Sequence, residues 1–292
     1  MSFPYLDETK TLNDETRRDL PGEFVKLSEG VTHYELGGPE DGQPVVLVHG
    51  FSVPNFIWDP TFDALTAAGL RVLRYDLFGR GFSDRPRKRY DFTLFDRQLF
   101  ELVEALEIER PFSLMGLSMG GPISANFTDR HPELVAKLVL IDPAGVPIDA
   151  PFILKLMLIP GMGELFLGLF GSKALLESMT EDLYDPKDIK LLQDGYRPQM
   201  EYKGFKRALL STMREDVLGD ALPIYKRIGD SDLPVLLIWG REDRTVPFAH
   251  SQFVLDALPQ AQFHPIDDTG HIPHFERPEI VNPLLIEFLG KS

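Results

Sequence analysis

The stretch Phe112-Ser113-Leu114-Met115-Gly116-Leu117-Ser118-Met119-Gly120-Gly121 decides how this chain is read. Its first four residues are an apolar run of the kind that fills a strand buried on both faces, and a helix is predicted from about Ser118 to Asp129. Between them lies Gly116-Leu117-Ser118-Met119-Gly120, a G-x-S-x-G pattern in the strand-to-helix context where it places a nucleophile. The turn has to be sharp enough to expose the serine Oγ. Glycines two residues before and two after remove the side chains that would collide in such a bend. A plain serine in a glycine-rich packing turn is the alternative. The flanking strand and helix, and the partners below, favour the nucleophile.

Working outward, further strands are predicted at Val45–Val48, Arg71–Tyr75, Leu138–Ile141, Pro234–Trp239 and Gln262–Ile266. Helices are expected over Phe56–Ala68, Leu94–Leu106, Phe248–Leu258 and Pro278–Leu289, so strand and helix alternate. That rhythm predicts an α/β fold with a mostly parallel sheet and helices on both faces. Phe24–Leu27 and Thr32–Leu36, separated by Ser28-Glu29-Gly30, read as an antiparallel hairpin ahead of it. Between Asp142 and Asp232 the rhythm fails: helix-like pieces (Ile153–Leu158, Glu164–Leu169, Lys173–Met179, Pro186–Gln193 and Phe205–Met213) follow one another with no convincing strand. The expected organisation is a core at 1–144, an inserted helical segment at 145–230 and the rest of the core at 231–292.

A serine nucleophile needs a base, and there are seven histidines. His271 follows Asp267-Asp268-Thr269-Gly270 in the loop between the last strand and last helix, where it reaches across the carboxyl edge of the sheet. His274 is the rival, better placed to line or support the pocket. The third member is a carboxylate that accepts from His Nδ1–H. Asp243, in Gly240-Arg241-Glu242-Asp243-Arg244 after the strand ending at Trp239, fits best, and Asp142 after the preceding strand is the alternative. The order Ser118, Asp243, His271 is that of a nucleophile–acid–histidine triad.

Composition narrows the function. The chain has 292 residues and a net charge of −15, a field that repels phosphate backbones and anionic headgroups, so nucleic-acid binding is not expected. With no Cys there is no disulfide framework or thiolate site. His271-x-x-His274 lacks a third ligand at metal spacing, and neither metal nor cofactor is expected. The acidic start lacks the pattern of a secretory signal, and the apolar stretch Pro151–Phe170 is broken by Lys155, Pro160 and Glu164. A cytoplasmic protein without stable membrane insertion is therefore expected.

From about residue 23 onward the chain resembles the α/β-hydrolase superfamily. The likeness rests on the elbow, on His49-Gly50-Phe51-Ser52, on Asp76-Leu77-Phe78-Gly79-Arg80-Gly81-Phe82-Ser83, and on Gly270-His271 followed by Glu276-Arg277-Pro278. It implies a sheet of about eight strands, an oxyanion hole made by the backbone N–H groups of Phe51 and Met119, and a helical cap over the elbow at 145–230. His49 is expected to brace the oxyanion loop and Asp76 to tie loops together. The apolar insertion, with Phe152, Met157 and Phe166, is expected to line an acyl pocket together with His274. The expected substrate is a small hydrophobic carboxylic ester, cleaved as by a carboxylesterase or monoacylglycerol lipase. A C–C bond hydrolase of diketone ring-cleavage products, a cofactor-free perhydrolase and a low-turnover ligand receptor are the alternatives.

Overall fold

A computed structural model describes residues 5–147 and 152–290; the side chains of residues 152–154 lie outside the description. In chain order the first half forms α1 (Asp14–Arg17), β1 (Glu23–Lys26), β2 (Val31–Gly37), β3 (Pro44–Val48), α2 (Asp59–Ala67), β4 (Arg71–Tyr75), α3 (Phe92–Ala105), β5 (Phe112–Leu117), α4 (Gly120–Arg130) and β6 (Val135–Ile141). An inserted run of helices follows: α5 (Phe152–Met157), α6 (Met162–Phe166), α7 (Ser172–Ser178), α8 (Ile189–Met200), α9 (Phe205–Arg214) and α10 (Leu222–Gly229). The chain then returns to the sheet with β7 (Val235–Gly240), α11 (His250–Ala257), β8 (Gln262–Ile266), α12 (Pro273–Glu276) and α13 (Pro278–Gly290).

Eight strands make one sheet in the order β1-β2-β4-β3-β5-β6-β7-β8 among the described residues. The β1–β2 and β2–β4 pairs are antiparallel, and every pair from β4 through β8 is parallel. Successive strand residues point to opposite faces, which divides the core in two. Val46, Val48, Leu114, Leu138, Leu140 and Leu237 meet α3, α4, α10 and α11 on one face. Val45, Leu47, Met115, Val139, Ile141 and Ile238 meet α2 and α13 on the other, where Tyr196 of α8 and Leu209 of α9 join them. Each such side chain gains about 1.5–3 kcal/mol from full burial, which is why the parallel strands carry unbroken apolar runs.

The inserted segment is less uniform than its sequence implies. By packing, α10 belongs with the core, because Tyr225 and Ile228 sit in the first cluster. Met157 of α5, Phe166 of α6 and Leu210 of α9 meet Tyr5 and Leu167 in a small third cluster, while α7 and α8 pack on the second. A π-helical turn, Leu167–Gly171, links α6 to α7. The chain before β1 fastens this region. The Glu8 carboxylate accepts from the Gly204 and Lys206 backbone N–H groups at the start of α9 (2.6 and 2.7 Å), and the Lys206 ammonium reaches Asp7. Among the described residues no helix is long and apolar enough to cross a membrane.

Candidate active site

The carboxyl ends of four neighbouring strands, β5, β6, β7 and β8, bring the candidate residues together. Ser118 follows β5 with φ +54, a left-handed conformation that costs a non-glycine residue about 1–3 kcal/mol. It is held there by its own backbone: Ser118 N–H donates to Ile141 O (3.0 Å), and Ser118 O accepts from Gly121 N–H and Ala144 N–H (2.9 and 3.1 Å). A Cβ on Gly116 would lie 2.2 Å from Gly120 O, and one on Gly120 would lie 2.2 Å from Val48 O. Both glycines are thus required by close backbone approach. Ser118 alone is partly exposed in a run, Phe112–Ala125, that is otherwise buried.

After β7 the chain turns so that Asp243 Oδ1 accepts from the Thr245 and Val246 N–H groups, each at 2.8 Å. The other oxygen, Oδ2, lies 2.7 Å from His271 Nδ1. This leaves Nε2 as the ring nitrogen free to accept a proton. Burial alone pushes the His271 pKa down, but the Asp243 and Asp182 carboxylates outweigh it and hold the imidazole above its ordinary range. No hydrogen bond joins Ser118 Oγ to His271 Nε2 among the described residues; such contacts commonly tighten only when substrate is bound. Asp142, at the end of β6, is fully buried beside this pair with φ +43. Its Oδ1 accepts from Gly240 N–H at 2.9 Å. Asp142, Asp243 and His271 bring one atom each within 4.8 Å of one another. A cation there would have to displace the Asp243–His271 hydrogen bond, so the donor set fits a triad better than a metal site.

The loop after β3 lies against the elbow: a Cβ on Gly50 would stand 3.1 Å from Ser118 Cβ. The N–H groups of Phe51 and Met119 find no acceptor among the described residues. Two buried side chains fix this loop. His49 donates from Nδ1 to Gly50 O (2.9 Å) and accepts from Leu77 N–H at Nε2 (3.0 Å). Burial pushes its pKa down to about 4, which keeps Nε2 free to accept. Arg80 donates from Nε to Phe51 O at 2.7 Å and from Nη2 to Thr212 Oγ1 of α9 at 2.9 Å. It is fully buried, and that burial lowers its pKa to about 10.

Of the residues expected to line a pocket, His274 lies within electrostatic reach of His271. Met157 and Phe166 pack into the third cluster with Tyr5 and Leu210, so their burial is accounted for by packing. His274 is fully buried with its ring 4.5 Å from that of Trp58, and has no face toward an open cavity. Burial pushes its pKa down to about 3. The Phe152 side chain lies outside the described residues.

Two positions that sequence reading passes over hold the histidine loop. Asp182 O accepts from His271 N–H at 2.8 Å, and its Oδ1 accepts from Thr245 Oγ1 at 2.6 Å. Glu276 accepts from Gly270 N–H at 2.7 Å with one oxygen, and from Tyr184 and Asp185 N–H (2.8 and 3.1 Å) with the other. Asp182 follows no strand and matches no motif. Glu276 stands in the quoted Glu276-Arg277-Pro278, and its acidic character next to the histidine loop was the only signal available.

Residues 43–278 match the family described as alpha/beta hydrolase fold. Among curated relatives, 2-hydroxy-6-oxo-6-phenylhexa-2,4-dienoate hydrolase of Comamonas testosteroni is 30% identical over 274 residues, 90% of this chain and 92% of that protein. The meta-cleavage product hydrolase from Pseudomonas fluorescens superposes with a TM-score of 0.76 at 26% identity, covering 92% of this chain and 97% of that one. A thermophilic esterase from Thermogutta terrifontis superposes with a TM-score of 0.78 at 25% identity, covering 92% and 98%. With an elbow serine, an ordered acid–histidine pair and a match over most of its length, the chain belongs to the α/β-hydrolase-fold family.

Proposed function

We propose that this hydrolase cleaves carboxylic esters with a hydrophobic acyl chain through an acyl-enzyme on Ser118. The observation that carries the reading is the Asp243–His271 hydrogen bond of 2.7 Å beside a serine held at φ +54. In this reading Ser118 Oγ attacks the ester carbonyl while His271 Nε2 takes its proton. The Phe51 and Met119 N–H groups receive the oxyanion, and His271 returns the proton to the leaving alcohol. Water then repeats the sequence on the acyl-enzyme and releases the acid. No step calls for a cofactor. Asp243 fixes the imidazole tautomer and stabilises the imidazolium without accepting its proton.

The acyl preference draws on the inserted segment, which would act as a cap over the elbow. Ile159, Met162, Leu165, Leu169 and Phe170 are all exposed there, an apolar face suited to a substrate that is itself apolar. A second reading is hydrolysis of a C–C bond in a diketone ring-cleavage product. The Comamonas testosteroni relative and the Pseudomonas fluorescens structure favour it, since both carry names of that chemistry.

A series of p-nitrophenyl esters of rising acyl length, run beside Ser118→Ala, tests the first reading. Turnover that peaks above acetate and disappears in Ser118→Ala supports it. A rate flat from acetate upward removes the acyl preference. Consumption of a 2-hydroxy-6-oxodienoate by a protein inert to every ester transfers the assignment to the C–C hydrolase.

A further inference from the structure

The triad acid does not stand alone. Asp243 is well supplied with donors: two backbone N–H groups on Oδ1 and the imidazole on Oδ2. Asp142 is not. Its Oδ1 has the Gly240 N–H, while its Oδ2 is buried and meets no donor among the described residues. The group against it is the Asp243 carboxyl, and the other titratable groups that act on it or complete the cluster, Glu276 and His271, add no second cation to balance it. Two buried carboxyls within 4.8 Å of each other and of a single imidazole strongly resist being ionised together. The proton goes to the carboxyl with fewer donors.

We infer that Asp142 is a neutral, protonated positioning residue whose carboxyl O–H donates to the Asp243 carboxylate, giving the triad acid a fourth hydrogen bond and aiming it at His271. The inference rests on the triad reading above. Burial first, and then the Asp243 charge, push the Asp142 pKa well above the usual carboxylate range, in the direction this arrangement requires. The backbone agrees as well. At φ +43 an Asp or Asn is tolerated better than other non-glycine residues. Asp142 is therefore held in a strained conformation at the end of β6, pinned by its own N–H to Ile238 O at 3.0 Å and by Oδ1 to Gly240 N–H. The consequence reaches the base: an Asp243 relieved of part of its charge by Asp142 holds the imidazolium less tightly. Asp142 thereby sets how basic His271 is.

The test exploits asparagine, which reproduces a neutral acid atom for atom: its Oδ1 accepts from Gly240 N–H and its Nδ2 donates to Asp243. Full-length wild type, Asp142→Asn and Asp142→Ala are compared in two measurements. One is the rate at which a fluorophosphonate labels Ser118 across pH, which needs no knowledge of the substrate. The other is the infrared carbonyl stretch of a protonated carboxyl at neutral pH, taken as wild type minus Asp142→Asn.

The inference expects the infrared band in the difference spectrum. It expects Asp142→Asn to label within a few-fold of wild type, with the acid limb of the pH profile in place. It expects Asp142→Ala to label about ten- to a hundred-fold more slowly, with its acid limb moved to higher pH. A missing band overturns the inference. So does an Asp142→Asn acid limb moved to lower pH, which marks the loss of an anion next to His271. A slow Asp142→Ala variant with an unmoved limb reduces Asp142 to a structural support and also overturns it. If the folded wild type does not label at all, the triad reading fails, and the infrared band by itself still decides whether Asp142 holds a proton.

Discussion

In the proposed mechanism His271 serves as a base only when neutral, so the direction of its pKa shift sets the pH range of activity. Its carboxylate neighbours hold it above 6.5 against the opposing effect of burial. Protonation therefore persists to higher pH than in a free imidazole. The rate of Ser118 labelling, or kcat/KM for an ester, is expected to rise with pH through a midpoint above 6.5. Asp243→Asn removes the larger of the two charges and presents Nδ1 with an amide that no longer selects the tautomer. It is expected to lower kcat by about 10⁴-fold and to move what remains of the acid limb downward. A pH-rate profile of both proteins checks the two outcomes together. At this scale the sequence is most legible where chemistry forces a motif. Ser118 is marked by its glycines, and Asp243 and His271 by their places after strands. The proton on Asp142 was not legible, because it depends on which buried neighbours lack donors, and only packing reveals that.

Secondary-structure elements were read well where burial acts through local periodicity and less well where a distant contact decides. β8 lies at Gln262–Ile266, the range expected from sequence, and β5 and α4 flank the elbow as expected. By contrast α8 continues to Met200, although its sequence reading stops at Gln193. Gly195 and Pro198 conceal the helix. A Cβ on Gly195 would meet the Phe56 ring at 2.8 Å, so a residue that argues locally against a helix is present because a ring packs across it. α10 was missed for a similar reason, since Tyr225 and Ile228 face a core that only the folded sheet supplies.

The same dependence on remote contacts makes α12 sensitive. Glu276 joins the histidine loop to the Tyr184–Asp185 turn by accepting three backbone N–H groups. Glu276→Gln keeps the shape but surrenders a charged acceptor, and hydrogen bonds to charged groups contribute about 1.5–3 kcal/mol. The amides of Gly270, Tyr184 and Asp185 are expected to exchange about ten- to a hundred-fold faster in the variant, while those of β3 and β5 are unchanged. Exchange confined to those three amides identifies the loss as local. Uniform acceleration across the sheet would make Glu276 a global support instead.

Over the whole molecule, net charge is a poor guide to acid stability, because most of the acidic residues that give −15 are solvated and contribute little individually. The carboxylate that matters is Asp76, which is fully buried where the hairpin, the oxyanion loop and the loop after β4 converge. Its Oδ1 accepts from Asn55 N–H (2.9 Å), and its Oδ2 from Phe82 N–H (2.8 Å) and His33 Nδ1 (2.7 Å). His33 Nε2 lies 2.9 Å from Pro21 O, so an acceptor stands at each ring nitrogen, an arrangement that favours the imidazolium. Burial pushes the Asp76 pKa up, but His33 and the backbone donors outweigh it and hold it at about 2, against 3.8 in the unfolded chain.

The sign follows from those values. A carboxyl with a depressed folded pKa stabilises above its unfolded pKa and loses that contribution as pH falls through the folded one. Asp76 therefore contributes fully above about pH 4 and progressively less toward pH 2, on the order of 2 kcal/mol in all. For His33 burial again opposes and Asp76 prevails, raising the folded pKa above 6.5; its contribution is present below that value and fades as pH rises past the folded pKa. The unfolding free energy is thus expected to be largest from about pH 4 to 6.5, where both members of the pair are charged. Asp76→Asn leaves the imidazolium buried without its counter-ion, at a cost of about 3–5 kcal/mol near neutrality. It also removes the group whose titration gives the acid decline, so the fall in stability between pH 4 and pH 2 should become shallower. Urea unfolding across pH for the two proteins measures both effects. A parallel decline in wild type and variant would place acid sensitivity in some other carboxylate, despite the position of Asp76 where three loops meet.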